Sequence, residues 1–253
     1  MLNLIKYELR STFLTILGIC VSVILGSLFL IIKRNDWDMN MILGLSVTLI
    51  ITALVVIFIS SLKIISKYLY EDSGYLLFTL PQSGKSIMTS RLITALIQTS
   101  IVVFVCLLMF YLTIASEVDL NFLKEFKFNV ILFTITQYIW GIFSSLTLIY
   151  FSMIIGKVAL KGKKLGKIGS FIIFIVISSV IGLLSFKINT IFPQTFNLGD
   201  FSMIANYKVS TLDFTGSNGA VAVNIASMIF DIITFVVFFI SSSYLIDKKL
   251  DLS

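Results

Sequence analysis

Few side chains in this sequence could do chemistry, and most of them have apolar neighbours. Histidine is absent, which removes the commonest general base, proton relay and metal ligand. Cys20 and Cys106 both lie inside apolar runs, so the sequence offers neither a disulfide framework nor a metal motif. We therefore expect no catalytic residue, no metal site and no enzyme activity in this chain.

Asp231 is the one acidic residue well inside an apolar run. An ionised Asp near the bilayer centre costs about 2.5–3.5 kcal/mol on insertion scales, so its side chain should face protein or water. Asp231 and the pair Gln137 and Tyr138 each lie about eight residues from the outer end of their runs, roughly 12 Å deep in a helix. This matched depth suggests a hydrogen bond from Gln137 or Tyr138 to Asp231. Two roles stay open for Asp231: fixing helix packing, or lining a path for a cationic or polar substrate.

Gly84-Lys85-Ser86 has the same residues as the end of a phosphate-binding P-loop. The leading glycine of that motif is missing, because position 79 is Thr79, and Pro81 interrupts the loop that should follow a buried strand. We therefore expect this chain to bind no nucleotide. If ATP drives this protein, another polypeptide binds it.

The elements that must position these residues are membrane helices. The chain is 58% hydrophobic and 13% charged, whereas soluble domains are about 45–50% apolar and about 25% charged. Six runs approach or exceed the roughly 20 apolar residues with which a helix crosses a bilayer. They predict an all-α membrane protein, a single transmembrane domain over residues 1–253. The six predicted spans cover about 11–32, 42–62, 92–115, 129–156, 168–186 and 223–246.

The distribution of basic residues predicts the orientation, since basic loops are retained in the cytosol. With the N-terminus inside, thirteen of the nineteen Lys and Arg residues fall on the cytosolic side. The other six lie outside, most of them beside acidic residues. Both termini are then cytosolic, and the net charge of +6 is mainly a topology signal. Nucleic-acid binding is not expected, because the sequence has no soluble basic face.

Residues 1–13 place Leu2, Ile5, Leu9 and Phe13 on one helical face, with Glu8 and the basic residues elsewhere. This pattern predicts an N-terminal interfacial helix that leads into span one. The alternative is that these residues form the cytosolic end of that span.

Span one also carries Gly18, Ser22 and Gly26 at steps of four residues. Such a stripe of small residues lets helix backbones approach closely. It is a candidate helix-packing seam, either between two copies of the chain or within one subunit.

The segment between spans two and three is amphipathic and punctuated by glycine and proline. Pro81 disfavours helix at Leu80, so a short helix through residues 71–79 should end there, and Ser83 can cap a new helix into span three. Such a segment could dock a soluble partner. The residues that we expect to make the contact are Glu71, Asp72, Gly74, Tyr75, Leu76, Phe78, Leu80, Pro81 and Ser83.

The outer segment 187–222 is too long for a hairpin and too short for a core of its own. We expect one or two short helices that dip into the interface. The apolar residues that suggest them are Ile188, Ile191, Phe192, Phe196, Phe201, Met203 and Ile204.

These features together resemble the ABC-2 type transporter permeases, the transmembrane subunits of bacterial type V ABC exporters. The six spans, the cytosolic termini and the outer segment before the last span carry the resemblance over the whole chain. A motif of about twenty residues carries it locally, as Glu-x-x-Gly at Glu71 and Gly74 followed by Leu-Pro-x-Ser at 80–83. By this resemblance, the segment around 70–80 is the coupling helix, which transmits closure of the ATPases.

The resemblance also implies partners and a location. Two permease subunits, as a homodimer or a heterodimer, would pair in the bacterial plasma membrane, with two copies of a cytosolic ATPase beneath them. This chain would bind no cofactor of its own, while ATP and Mg²⁺ would lie on the ATPase. Spans one and five would lie near the two-fold seam.

The cargo is the least specified part of the function. Relatives of this size export antimicrobial peptides, drugs, ions or lipid-like molecules, and we expect efflux of an amphipathic antimicrobial. Two other functions stay open: a proton-coupled secondary transporter that uses Asp231, and a sensing subunit of an ABC assembly that transports nothing.

Overall fold

Six long helices dominate the computed structural model, which describes residues 2–70, 83–114, 128–159, 166–197, 202–204 and 222–248. Each is long and apolar enough to cross a membrane, which confirms the predicted number of six helices of spanning length. The helices are α1 (Leu2–Ile32), α2 (Met39–Tyr70), α3 (Gly84–Ile114), α4 (Phe128–Ala159), α5 (Gly166–Ile191) and α6 (Ile225–Lys248).

The first three helices extend beyond the predicted spans at the start of α1, the end of α2 and the start of α3. The second span was expected to end near residue 62, but α2 continues to Tyr70. Helix α3 begins at Gly84, as expected after Ser83, and leads into the span predicted from about residue 92. Hydropathy predicts where a helix leaves hydrocarbon, whereas the backbone hydrogen bonds of a helix continue as long as its residues tolerate the conformation.

The N-terminal residues are the first turns of α1, which runs from Leu2 to Ile32 as one helix. This supports the alternative that they form the cytosolic end of span one. Of the predicted apolar face, Ile5 is buried and Phe13 is exposed, and Leu4, which lies outside that face, is buried as well.

The chain divides into two compact units, and the first contains α1, α2 and all but the first residues of α3. Its apolar core draws residues from all three helices. The buried members are Ile16, Val23, Ala53, Ile57, Val102, Cys106 and Met109. Where α1 crosses α2, a Cβ atom on Gly26 would lie 2.3 Å from Leu49 Cδ1, so the small residue allows the close approach.

The second unit contains α4, α5, α6, a small sheet and the residues Ser83–Lys85 at the start of α3. Aromatic rings join α4 to α6, with ring centroids 5.1 Å apart for Trp140 and Phe235. A second pair, Phe151 and Phe238, stacks at 4.7 Å.

Described parts of the outer segment form a small sheet where we expected short helices. Strands β1 (Thr195–Asn197), β2 (Ser202–Ile204) and β3 (Ala222–Asn224) pair antiparallel in the order β2-β1-β3. The helical prediction is therefore wrong at Phe196, Met203 and Ile204. A local apolar pattern cannot reveal that Phe196 pairs with Val223, which is distant in the sequence. Of the other residues used for that prediction, Ile188 and Ile191 belong to α5, and Phe201 lies outside the described residues.

Asn224 fixes the start of α6. Its Oδ1 atom accepts a hydrogen bond of 3.0 Å from the backbone N–H of Ser227, three residues into the helix. Its Nδ2 atom donates to the carbonyl oxygen of Phe192, just after α5, at 2.7 Å. One side chain therefore caps α6 and ties it to the end of α5.

Candidate functional site

The predicted docking segment is described at its flanks. Ser83 is exposed, and α3 begins directly after it at Gly84, which confirms the predicted helix start. The other predicted coupling residues lie outside the described residues; they are Glu71, Asp72, Gly74, Tyr75, Leu76, Phe78, Leu80 and Pro81. The geometry of the site is therefore that of the helix ends on either side.

Arg91, on α3, ties together the three helices of the first unit. Its Nη1 atom donates a hydrogen bond to the backbone carbonyl oxygen of Ile64 on α2. Its Nη2 atom lies 3.2 Å from Oε1 of Glu8 on α1, and the two side chains are only 4% and 13% exposed. We call Glu8, Arg91 and the Ile64 carbonyl the Arg91 anchor.

Removing either charged member of the Arg91 anchor should destabilise the first unit. Removing one member of a buried ion pair costs about 3–5 kcal/mol, because the other charge is left uncompensated. Two turns further along α3, Gln98 is fully buried, and its amide has no hydrogen-bond partner among the described residues. Buried polar side chains therefore occur along α3 at both Arg91 and Gln98.

Sequence reasoning missed the Arg91 anchor. Arg91 was counted only among the thirteen inner basic residues that indicate the orientation, and Glu8 was placed away from the apolar face of residues 1–13. A signal was present for each: Glu8 lies four residues after Leu4, which is buried, and Arg91 lies between Met88 and Ala95, which have no exposed surface. A charged residue in register with a helix's apolar face needs a partner from another helix.

In the second unit, the end of α6 holds the first turn of α3. The backbone N–H of Gly84 donates a hydrogen bond to Oδ1 of Asp247. A Cβ atom on Gly84 would lie only 2.6 Å from the backbone oxygen of Ser243, so only glycine fits this approach without a shift. We call Gly84, Ser243 and Asp247 the Asp247 clasp, which sequence reasoning also missed.

The candidate intramembrane polar residues lie on neighbouring helices of the second unit. Asp231, on α6, and Gln137 and Tyr138, on α4, are all half-buried. Asp231 lies one turn before Phe235, and Gln137 lies one turn before Trp140, the residue that Phe235 contacts. Within the described part of the chain no hydrogen bond joins the carboxylate of Asp231 to Gln137. The polar pairing at this depth stays a prediction.

The small residues of α1 line a groove against α2. The groove holds about 780 Å³ and includes Gly18, Ser22, Gly26, Thr48 and Thr52 in its wall. Gly26 packs against α2 of the same subunit, while a Cβ atom on Gly18 would have no neighbour within 4 Å. The seam therefore serves packing within the subunit at Gly26, and whether a second copy covers Gly18 stays a prediction.

Comparisons with known proteins find no match for this chain among family models, curated proteins or solved structures. Among the described residues, no group of three or more His, Cys, Asp or Glu side chains could hold a metal ion. A proposal for the function therefore depends on the pattern of the sequence and on the described helices.

Proposed function

We propose that this chain is the membrane-spanning permease subunit of an ATP-driven bacterial exporter. The observation that carries the proposal is the segment 71–83, an amphipathic stretch between the two long apolar helices α2 and α3. The excess of basic residues favours a cytosolic position for it. The Arg91 anchor and the Asp247 clasp support the proposal, because a docking element transmits force only if the helices beside it are fixed.

The proposed mechanism is differential binding. ATP and Mg²⁺ on a separate ATPase subunit favour the closed arrangement of the two ATPases, and the segment 71–83 sits in the surface that rearranges. Because the segment binds the closed arrangement differently from the open one, nucleotide binding shifts the equilibrium between inward-facing and outward-facing membrane states. Two permease subunits in the plasma membrane and two cytosolic ATPases beneath them form the working assembly.

The proposed cargo is an amphipathic molecule such as an antimicrobial peptide or a drug. The chain has 23 Phe and nine Tyr residues, which suit an apolar or amphipathic lining, although aromatic residues are common in membrane spans.

Co-purification tests the proposal. The tagged chain, purified in mild detergent from its own host, should bring down a soluble subunit with a P-loop, identified by mass spectrometry. The double variant Leu76→Ala with Phe78→Ala should lose this subunit and stay in the membrane. A matched control is Phe192→Ala, which removes an exposed aromatic ring on the predicted outer side of the membrane. An intact wild-type protein that brings down no ATPase in several detergents would contradict the proposal.

The orientation has a separate test. In a background without Cys20 and Cys106, Ser83→Cys and Asp36→Cys each place a thiol at an exposed position. We expect a membrane-impermeant maleimide to label position 36 in intact cells and position 83 only after the membrane is permeabilised. Labelling of position 83 in intact cells would place the segment outside and exclude docking of a cytosolic ATPase.

Two alternatives give different results in the same system. A proton-coupled transporter that uses Asp231 would keep its transport without the ATPase and lose it when the proton gradient collapses or when Asp231→Asn is introduced. A sensing subunit would co-purify with the ATPase and bind ligand, yet move nothing into or out of vesicles.

A further inference from the structure

The Asp247 clasp joins a backbone N–H at the start of α3 to a carboxylate at the end of α6. Gly84 is the first residue of α3, and the N–H groups of a helix's first turn have no partner within that helix. Asp247 supplies a carboxylate oxygen to the Gly84 N–H, as a capping residue does, but from another helix. Its negative charge also lies at the positive end of the α3 dipole.

Asp247 occupies an unfavourable position for its own helix. It is the second-last residue of α6, where the helix dipole disfavours an acidic side chain and favours a basic one. The hydrogen bond with the Gly84 N–H compensates for the unfavourable interaction with the α6 dipole. The contact with α3 therefore explains why an acidic residue stands at this position.

The first turn of α3 and the end of α6 are also in close contact. Ser243 lies one turn before Asp247 and is buried, and its backbone oxygen lies 2.6 Å from the position that a Gly84 Cβ would take. Two successive turns of α6 therefore touch the first turn of α3. A shift of Gly84 along or across this surface must displace the end of α6 or break the hydrogen bond.

We propose that Asp247 is a positioning residue that transmits displacement of the docking segment to α6. Gly84 follows Ser83 directly in the chain, so a displacement of the segment acts on the first turn of α3, where the clasp lies. This inference rests on the proposed function, because the ATPase supplies the force.

Hydrogen–deuterium exchange on the purified full-length protein, with whatever subunits co-purify, tests the clasp first. Asp247→Ala should raise the exchange rate of amides in residues 84–88 by roughly fivefold, the effect of losing a helix cap. Asp247→Asn should keep the protection, because an amide oxygen also accepts the Gly84 N–H. Equal exchange in the wild type and Asp247→Ala would overturn the clasp.

The second arm tests transmission. A non-hydrolysable ATP analogue added to the wild-type assembly should change exchange both in residues 84–88 and in residues 240–248. In Asp247→Ala the response of 84–88 should remain and that of 240–248 should be lost, while Asp247→Asn behaves as the wild type. A persistent response of 240–248 in Asp247→Ala would refute the positioning role. If no ATPase co-purifies, the proposed function fails and the positioning role with it, while the first arm still reports on the clasp.

Discussion

The two helix ends beside the proposed docking segment 71–83 are held by two different kinds of contact. On the α2 side, the Arg91 anchor uses a buried ion pair and a carbonyl oxygen within the first unit. On the α3 side, the Asp247 clasp uses an exposed carboxylate and a helix N-terminus within the second unit. Removing one member of a buried ion pair costs about 3–5 kcal/mol of stability, whereas losing a helix cap costs about 1 kcal/mol.

This difference suggests a division of roles. The Arg91 anchor holds α1, α2 and α3 together, and in the proposed transport cycle we expect these helices to move as one body, because separating the charges in an apolar interior is unfavourable. The Asp247 clasp is the weaker of the two contacts, and it joins the first turn of α3 to the end of α6. The predictions below test this difference in strength, from the largest expected effect to the smallest.

The largest expected effect is that of Arg91→Met. This change leaves the carboxylate of Glu8 buried without its cation and should lower the stability of the protein by about 3–5 kcal/mol. The measurement is thermal unfolding in detergent.

The matched control is the double variant with Glu8→Met and Arg91→Met. Replacing both members of a buried pair with apolar residues of similar volume is often nearly neutral, so the double variant should recover most of the lost stability. If the double variant melts as low as Arg91→Met alone, the ion pair is not what stabilises this region.

An intermediate effect is expected for Gly84→Ala in the Asp247 clasp. The added methyl group meets the backbone oxygen of Ser243 at 2.6 Å, and overpacking of this kind costs about 1–3 kcal/mol. Gly141→Ala is the control, because a Cβ atom there would have no neighbour within 4 Å. Equal melting of the two variants would show that α6 does not approach Gly84 this closely.

The smallest effect is expected at an exposed ion pair. Lys33 and Asp36 lie 2.9 Å apart beyond the end of α1, and their side chains are 41% and 62% exposed. Asp36→Asn should change stability by less than about 1 kcal/mol, and less still at high salt. A loss comparable to that of Arg91→Met would mean that burial does not account for the strength of the Arg91 anchor.

The helices could be predicted from the sequence because a membrane helix needs a long apolar run, and each of the six runs is unmistakable. The start of α3 could also be predicted, because Pro81 and Ser83 are strong local signals. The sheet could not be predicted, because Phe196 pairs with Val223, which is distant in the sequence. The Arg91 anchor and the Asp247 clasp escaped prediction for the same reason: each joins residues from different helices, and only a charge in register with a packed face hinted at the first.

Site-specific photo-crosslinking in living cells tests the central claim most directly. A photoreactive amino acid replaces Tyr75 in the docking segment, and the control replaces Trp37 in the predicted outer loop between α1 and α2. We predict that position 75 crosslinks to a soluble protein with a P-loop and that position 37 does not. If position 75 yields no such product from a chain that is present in the membrane at normal levels, the chain is not the permease of an ATP-driven exporter that docks its ATPase through this segment.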